Sequence, residues 1–225
     1  MCLTLDFLFQ RCPLRNKLAF KGGTSLSKAH NLIQRFSEDV DLILDWRVLG
    51  YRMNEPWEAR SKTKQEEFNR GANERTILFL RETLLPQVAE GLSDIIGDKA
   101  ELTINEDDPQ TIIFNYPHIF TAEAILQGIK LEIGALAAWS PVSAKTITPY
   151  AAEMYSKAFK KPMTEVLTVE AERTFWEKAT ILHHEANRPA ESAMPQRYSR
   201  HMFNNKAICF PQPILRSHFH CYYSG

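Results

Sequence analysis

The apolar positions of the first fifty residues change their spacing twice within a short stretch. Leu18-Ala19-Phe20 is a continuous apolar run closed by the small-residue turn Gly22-Gly23-Thr24-Ser25, which predicts a strand ending in a tight turn. Leu26 to Gln34 then reads as a helix, and Ser37 to Leu44 as a second strand. Residues 1 to 16 read as a short helical or irregular lead-in that packs on the first strand. Further on, residues 56 to 70 are polar and helix-favouring, and residues 74 to 95 place Ile77, Leu78, Leu80, Leu84, Leu85, Val88 and Leu92 at helical spacing. Gly71-Ala72-Asn73 is the expected break between them, and Pro86 is expected to kink or divide the second.

Three β candidates follow: Glu101 to Asn105, Thr111 to Tyr116, and Gly128 to Gly134. The turn-forming Glu106-Asp107-Asp108-Pro109 makes the first two a hairpin. In the third, Ile129, Leu131 and Ile133 alternate with Lys130 and Glu132, so the charged pair shares one face and the apolar trio the other. Beyond residue 150 the pattern turns helical. A helix is expected from Pro149 to about Lys160, a strand or extended link at Val166 to Val169, a helix from Glu170 to Glu185, and a last one at Arg197 to Lys206. The sum is an α+β (α/β) chain: a small mixed sheet carrying the site on one edge, packed helices, and a helical C-terminal part. We divide it at residue 150, into 1–150 and 151–225.

Composition narrows the class. With 44% apolar and 24% charged residues the chain has the make-up of a globular protein, and no apolar run approaches the roughly 20 residues of a membrane span. The start, MCLTLDFLFQRC, lacks the form of a signal peptide, so a cytoplasmic protein with no membrane contact is expected. Lys plus Arg equals Asp plus Glu at 27 each, so no whole-molecule field draws the protein onto nucleic acid, and any RNA contact must be local. Cys2, Cys12, Cys209 and Cys221 have no CxxC spacing and read as free thiols. His218, His220 and Cys221 make a weak zinc-like cluster in the tail.

The chemistry concentrates around residues 17 to 45. Glycines at a strand-to-helix turn let backbone approach a ligand, while the first N–H groups and the dipole of the helix favour an anion. Asp39 and Asp41, two apart on a strand, project from the same face. A phosphate cradle of Gly22, Gly23, Thr24 and Ser25 beside two parallel carboxylates suits a nucleoside triphosphate (NTP) held through Mg²⁺. Nucleotidyl transfer uses two such ions, about 4 Å apart, on hard oxygen ligands. Glu132 supplies the third carboxylate, since it alone stands in a later strand candidate between apolar neighbours, and it would serve the ion that activates the acceptor hydroxyl. Lys28 and Arg35 are candidates to neutralise the β- and γ-phosphates.

These residues carry a resemblance. Phe20-Lys21-Gly22-Gly23-Thr24-Ser25-Leu26-Ser27-Lys28, followed by Arg35-Phe36-Ser37-Glu38-Asp39-Val40-Asp41-Leu42, resembles the signature of the AbiEii-type (abortive infection) toxin family of nucleotidyltransferases, within the DNA polymerase β-like superfamily. Ile129 to Gly134 resembles the strand bearing that family's third carboxylate, and Glu172 to Lys178 its helix with a functional lysine, here Lys178. The likeness runs from about residue 17 to residue 204. It implies a polymerase β-like sheet and the toxin of a toxin–antitoxin or abortive-infection system, using an NTP and Mg²⁺. It also implies tRNA as a candidate acceptor, because some relatives modify its 3′ end, and a winged-helix antitoxin encoded nearby as a candidate partner. Lys178 would then act as a phosphate-directed charge from the C-terminal part, while Phe175 and Trp176 are expected to pack in the core.

The C-terminus departs from the pattern. Asn204 stands where the resemblance calls for an aspartate, and an amide can neither act as a base nor hold a cation comparably. The tail after it lacks amphipathic periodicity and reads as a divergent or truncated end. Besides the transferase, this leaves a degenerate relative that binds nucleotide or a partner protein without turnover. Small-molecule nucleotidylation would use the same carboxylates.

Overall fold

The computed structural model describes residues 1–34, 39–116, 128–136, 141–189 and 208–209. Among these residues seven strands form one mixed sheet: β1 Leu18–Lys21, β2 Asp39–Leu44, β3 Glu101–Ile104, β4 Thr111–Asn115, β5 Ile129–Gly134, β6 Val142–Ile147 and β7 Thr164–Val169, in the order β3-β4-β5-β2-β1-β7-β6. β2 runs parallel to β5, and β1 parallel to β7, while the other neighbours are antiparallel. The helices are α1 Cys2–Asp6, α2 Gly22–Lys28, α3 Lys62–Phe79, α4 Leu85–Ile96, α5 Tyr150–Met154 and α6 Ala171–Ala186. No helix among the described residues is long and apolar enough to cross a membrane.

One face of the sheet carries the main core. Leu18, Phe20, Val40, Leu42, Leu44, Ile112, Leu131 and Ile133 pack there with Leu5, Phe7, Leu8 and Phe9 from the N-terminal segment and with Leu80, Leu84, Val88 and Leu92 from the helices after α3. Because side chains alternate along each strand, the intervening residues must emerge on the other face. There Ala19, Ile43 and Val169 form a small cluster, and Leu26, Ile33 and Ala171 join α2 to the start of α6. The N-terminal lead-in is pinned across the molecule by Asp6, whose Oδ1 accepts from Lys161 Nζ and from Thr164 Oγ1, each at 2.7 Å.

Several elements differ from the sequence expectation. The turn glycines are themselves helical: α2 begins at Gly22 and ends at Lys28, so the helix expected over Leu26 to Gln34 starts and stops earlier. Asn31, at φ 54°, lies in the left-handed region just beyond it. No break occurs at Gly71-Ala72-Asn73. A helical glycine costs only about 1 kcal/mol, and here Ala72 and Thr76 are buried on the inner side of one continuous helix. The discontinuity falls instead in a wide π-type turn at Leu80–Leu84, just ahead of Pro86 in the first turn of α4, where the expected division of the second helix occurs. The helix from Pro149 ends at Met154 rather than near Lys160.

β6 was not expected. It is an outer strand with most positions partly or fully exposed, so it lacks the apolar alternation that marks a half-buried strand, and its Lys145 suits an edge. β7 comes from beyond residue 150 yet stands beside β1 inside the sheet. With β6 and β7 on one flank and β3 and β4 on the other, the carboxylate-bearing β2 and β5 lie in the middle of the sheet and not on its edge. The helix expected at Arg197 to Lys206, Asn204, and the tail cluster of His218, His220 and Cys221 lie outside the described residues.

Candidate active site

The site is built by strand register. β1 and β2 are antiparallel neighbours with Lys21 opposite Asp41, and β2 and β5 are parallel neighbours with Asp41 beside Glu132 and Asp39 beside Lys130. Residues directly across from one another share a face. Asp39, Asp41 and Glu132 therefore stand together on the face opposite the main core, with Lys21 and Lys130 on that same face. Adjacent strands are about 4.8 Å apart, which brings the carboxylates of Asp41 and Glu132 within interaction range.

Their charges are felt. Glu132 is an exposed residue, yet partial desolvation of its carboxyl raises its pKa above the ordinary value. Asp41, Asp39 and Asp108 push it further up, against an opposing pull from Lys130. Repulsion among acids on one face is the electrostatic condition that a divalent cation relieves. All three donors are hard carboxylate oxygens, the ligand type that Mg²⁺ and Mn²⁺ take, so the residues suit such an ion. Among the described residues, no three acidic, thiol or imidazole groups are already gathered closely enough to hold a metal.

Gly22 locks the turn against these acids. Its φ is +80°, a conformation that L side chains rarely adopt, and a Cβ added there would fall on the Asp41 carboxylate. Glycine is thus needed twice over, for backbone conformation and for closeness. α2 is tied to the carboxylate strand by Thr24, whose Oγ1 donates to the Asp39 carbonyl at 2.7 Å. Ser25 Oγ donates to the Gly22 carbonyl at 2.8 Å, and Thr24, Ser25 and Ser27 are buried. The hydroxyls of the expected cradle are therefore turned inward to shape the helix. What remains for an anion is the backbone of Gly22 and Gly23 and the first N–H groups of α2.

The expected cations are distributed unequally. Lys28 Nζ lies over the Tyr150 ring, 2.8 Å from its centroid, and 3.5 Å from the Thr148 carbonyl. It lines an apolar pocket of about 350 Å³ whose walls, including Met1, Cys2, Pro149 and Phe159, contain none of the three carboxylates. Burial there lowers its pKa. Arg35 lies outside the described residues. Lys178 is half-buried on α6, one residue after Glu177, whose Oε2 is 3.4 Å from Lys21 Nζ. That contact ties α6 to the end of β1. Trp176 does not pack in the core: it is 63% exposed and meets the half-buried Phe175 edge-on, with centroids 5.2 Å apart. Successive helical positions point about 100° apart, so the two rings cannot both face inward.

The sequence reading gave no role to Lys21, Lys130 or Asp108. Lys21, just ahead of the glycines, was legible as a strand-end cation. Asp108 was visible only as a turn residue, and it reaches the site because its Oδ2 accepts from Thr111 Oγ1 at 2.7 Å while Thr111 stands opposite Glu132.

The mixed sheet thus sets two acids on one strand and a third on its parallel neighbour, beside a glycine-led helix. The chain belongs to the nucleotidyl transferase AbiEii toxin family of type IV toxin–antitoxin systems, whose family model matches residues 6–203. Among solved structures it is similar to MenT4, a nucleotidyltransferase toxin from Mycobacterium tuberculosis H37Rv, at 19% identity and a TM-score of 0.46, over 84% of this chain and 56% of that one. The chain thus spans little more than half the length of MenT4. No curated protein matches it.

Proposed function

We propose that the protein is the toxin of its system and transfers a nucleotide from an NTP to an acceptor hydroxyl, with Mg²⁺ held by Asp39, Asp41 and Glu132. The observation that carries this reading is the register that sets Glu132 directly beside Asp41 on the face away from the core. When bound, the divalent ions would neutralise phosphate charge and make the acceptor oxygen a better nucleophile. Gly22 and Gly23, with the first amides of α2, receive the triphosphate, while Thr24 and Ser25 hold the turn in shape. Lys178 directs a positive charge to the phosphates from α6, which follows β7 beyond residue 150. Lys28 and Arg35 remain candidates for the same task, and for Lys28 this requires leaving the Tyr150 ring.

tRNA is the acceptor we put first, a cytoplasmic setting follows from it, and a winged-helix antitoxin encoded nearby is the expected partner of the system. Labelled NTPs incubated with the protein and total RNA test the reading. Label should appear on RNA, and both Asp39→Ala and Asp41→Ala should cut transfer by at least about a hundredfold while the protein stays folded by circular dichroism. They should also relieve growth arrest. Undiminished arrest in both variants would refute the reading. Binding of NTP without label transfer to RNA or to small-molecule acceptors would leave the degenerate relative as the answer.

A further inference from the structure

The Lys21–Glu177 contact joins two elements far apart in sequence at the point where the carboxylates stand. Lys21 is the register partner of Asp41 and the residue before Gly22, and Glu177 is the residue before Lys178. The two side chains retain only 23% and 21% of their exposure, so solvent screens the pair less than an ordinary surface pair. Glu177 also faces a second cation: its Oε1 is 3.8 Å from Arg173 Nε, a buried nitrogen with no hydrogen-bond partner among the described residues. One carboxylate thus stands between a cation at the end of β1, the neighbour of the carboxylate-bearing β2, and a cation of its own helix. α6 is also held at its beginning, where Ala171 packs with Leu26 and Ile33 and Thr174 is buried.

We propose that Glu177 is a positioning residue, which through Lys21 fixes the middle of α6 against the carboxylate face and so sets the reach of Lys178 toward the triphosphate. The inference rests on the transferase reading above, because Lys178 needs a fixed place only if phosphates are handled there. Displacement of a positioned group by about 1 Å can cost on the order of a hundredfold in rate, so a single ion pair is enough to matter. Neither residue of the pair touches the substrate in this scheme.

The test compares label transfer from NTP by the full chain with that of Glu177→Gln, Lys21→Met and the double variant, alongside amide hydrogen exchange. Each single variant should lose at least tenfold in kcat, and the double variant should be no worse than the poorer single one, because the two residues act as a unit. Lys21→Arg, which keeps the charge, should recover most of the loss. In Glu177→Gln the amides of α6 should exchange faster while those of α4 do not change. Multiplying losses in the double variant, singles within threefold of the parent, or unchanged exchange in α6 would each overturn the proposal. Asp39→Ala is measured beside them: full activity in that variant would fault the transferase reading instead, and the exchange result then decides the pair by itself.

Discussion

Two residues concentrate the opposing demands of the site. Gly22 holds a positive φ with its Cα against Asp41. In Gly22→Ala the added methyl must displace the carboxylate while the backbone stays in a region that costs roughly 1–3 kcal/mol for a residue with a side chain. The expected result is a lower thermal midpoint together with a fall in transfer of about tenfold or more, measured by calorimetry and NTP turnover. Glu132 shows the complementary strain. Its folded pKa is raised, first by burial and then by Asp41 and Asp39. The folded chain therefore holds the proton more tightly than the unfolded one, and the stability linked to this group is complete below the unfolded pKa and lost as pH rises through the folded one. Glu132→Gln should therefore melt higher than the parent at neutral pH, with the gain vanishing in acid, while transfer falls by at least about a hundredfold. Melting curves across pH check the first part. A variant that melts lower than the parent at neutral pH would refute it.

Among the elements, β2 is the one whose placement decides everything else, and its far end is fixed by charge. Asp45 is fully buried, and its two oxygens accept from Arg47 Nε at 2.7 Å and from an Arg47 terminal nitrogen at 2.6 Å, with Lys17 Nζ at 3.3 Å. Burial alone would raise its pKa, but the hydrogen bonds and charge of Arg47, together with Lys17, outweigh it and hold the carboxyl below the ordinary range. The linked stability is thus present above the unfolded pKa and lost as pH falls through the folded one. Asp45→Asn should destabilise by roughly 1–3 kcal/mol at neutral pH, and the difference from the parent should begin to shrink as pH falls past about 3.9 and close only below the lower pKa of the folded state. Denaturant titration at two pH values measures both. The carboxylates of this strand also depend on α2, because the Thr24 hydroxyl bonds the carbonyl of Asp39. Helix and strand therefore move as one piece.

At the scale of the whole molecule, the sheet order brings strands from opposite ends of the chain together. β7 is inserted beside β1, and β5 beside β2, so Phe20 pairs with Thr168, 148 positions on, and Asp41 with Glu132, 91 positions on, while β1 and β2 themselves are near neighbours in the chain. A ligand that draws the three acids together should stabilise this assembly as a unit. Mn²⁺ or Mg²⁺ with a non-hydrolysable NTP at about one hundred times its Kd should add roughly 2.7 kcal/mol, a rise of about 5–10 °C in thermal midpoint for a chain of this size. The rise should be absent in Asp39→Ala. An equal rise in that variant would mean that the ions bind elsewhere.

The sequence determined the local pieces: the β1 strand, the glycine turn, the spacing that puts Asp39 and Asp41 on one side of a strand, the β3–β4 hairpin, and the alternation that turns Glu132 away from Ile129, Leu131 and Ile133. Each of these follows from side-chain periodicity or turn chemistry within a few residues. The tertiary structure alone decided that Glu132 stands beside Asp41, that Lys21 meets Glu177, that Lys28 turns to Tyr150, and that an unmarked edge strand, β6, completes the sheet. The physical reason is that strand register and the meeting of distant charges are fixed by the global packing of the two faces. No local window of sequence contains that information.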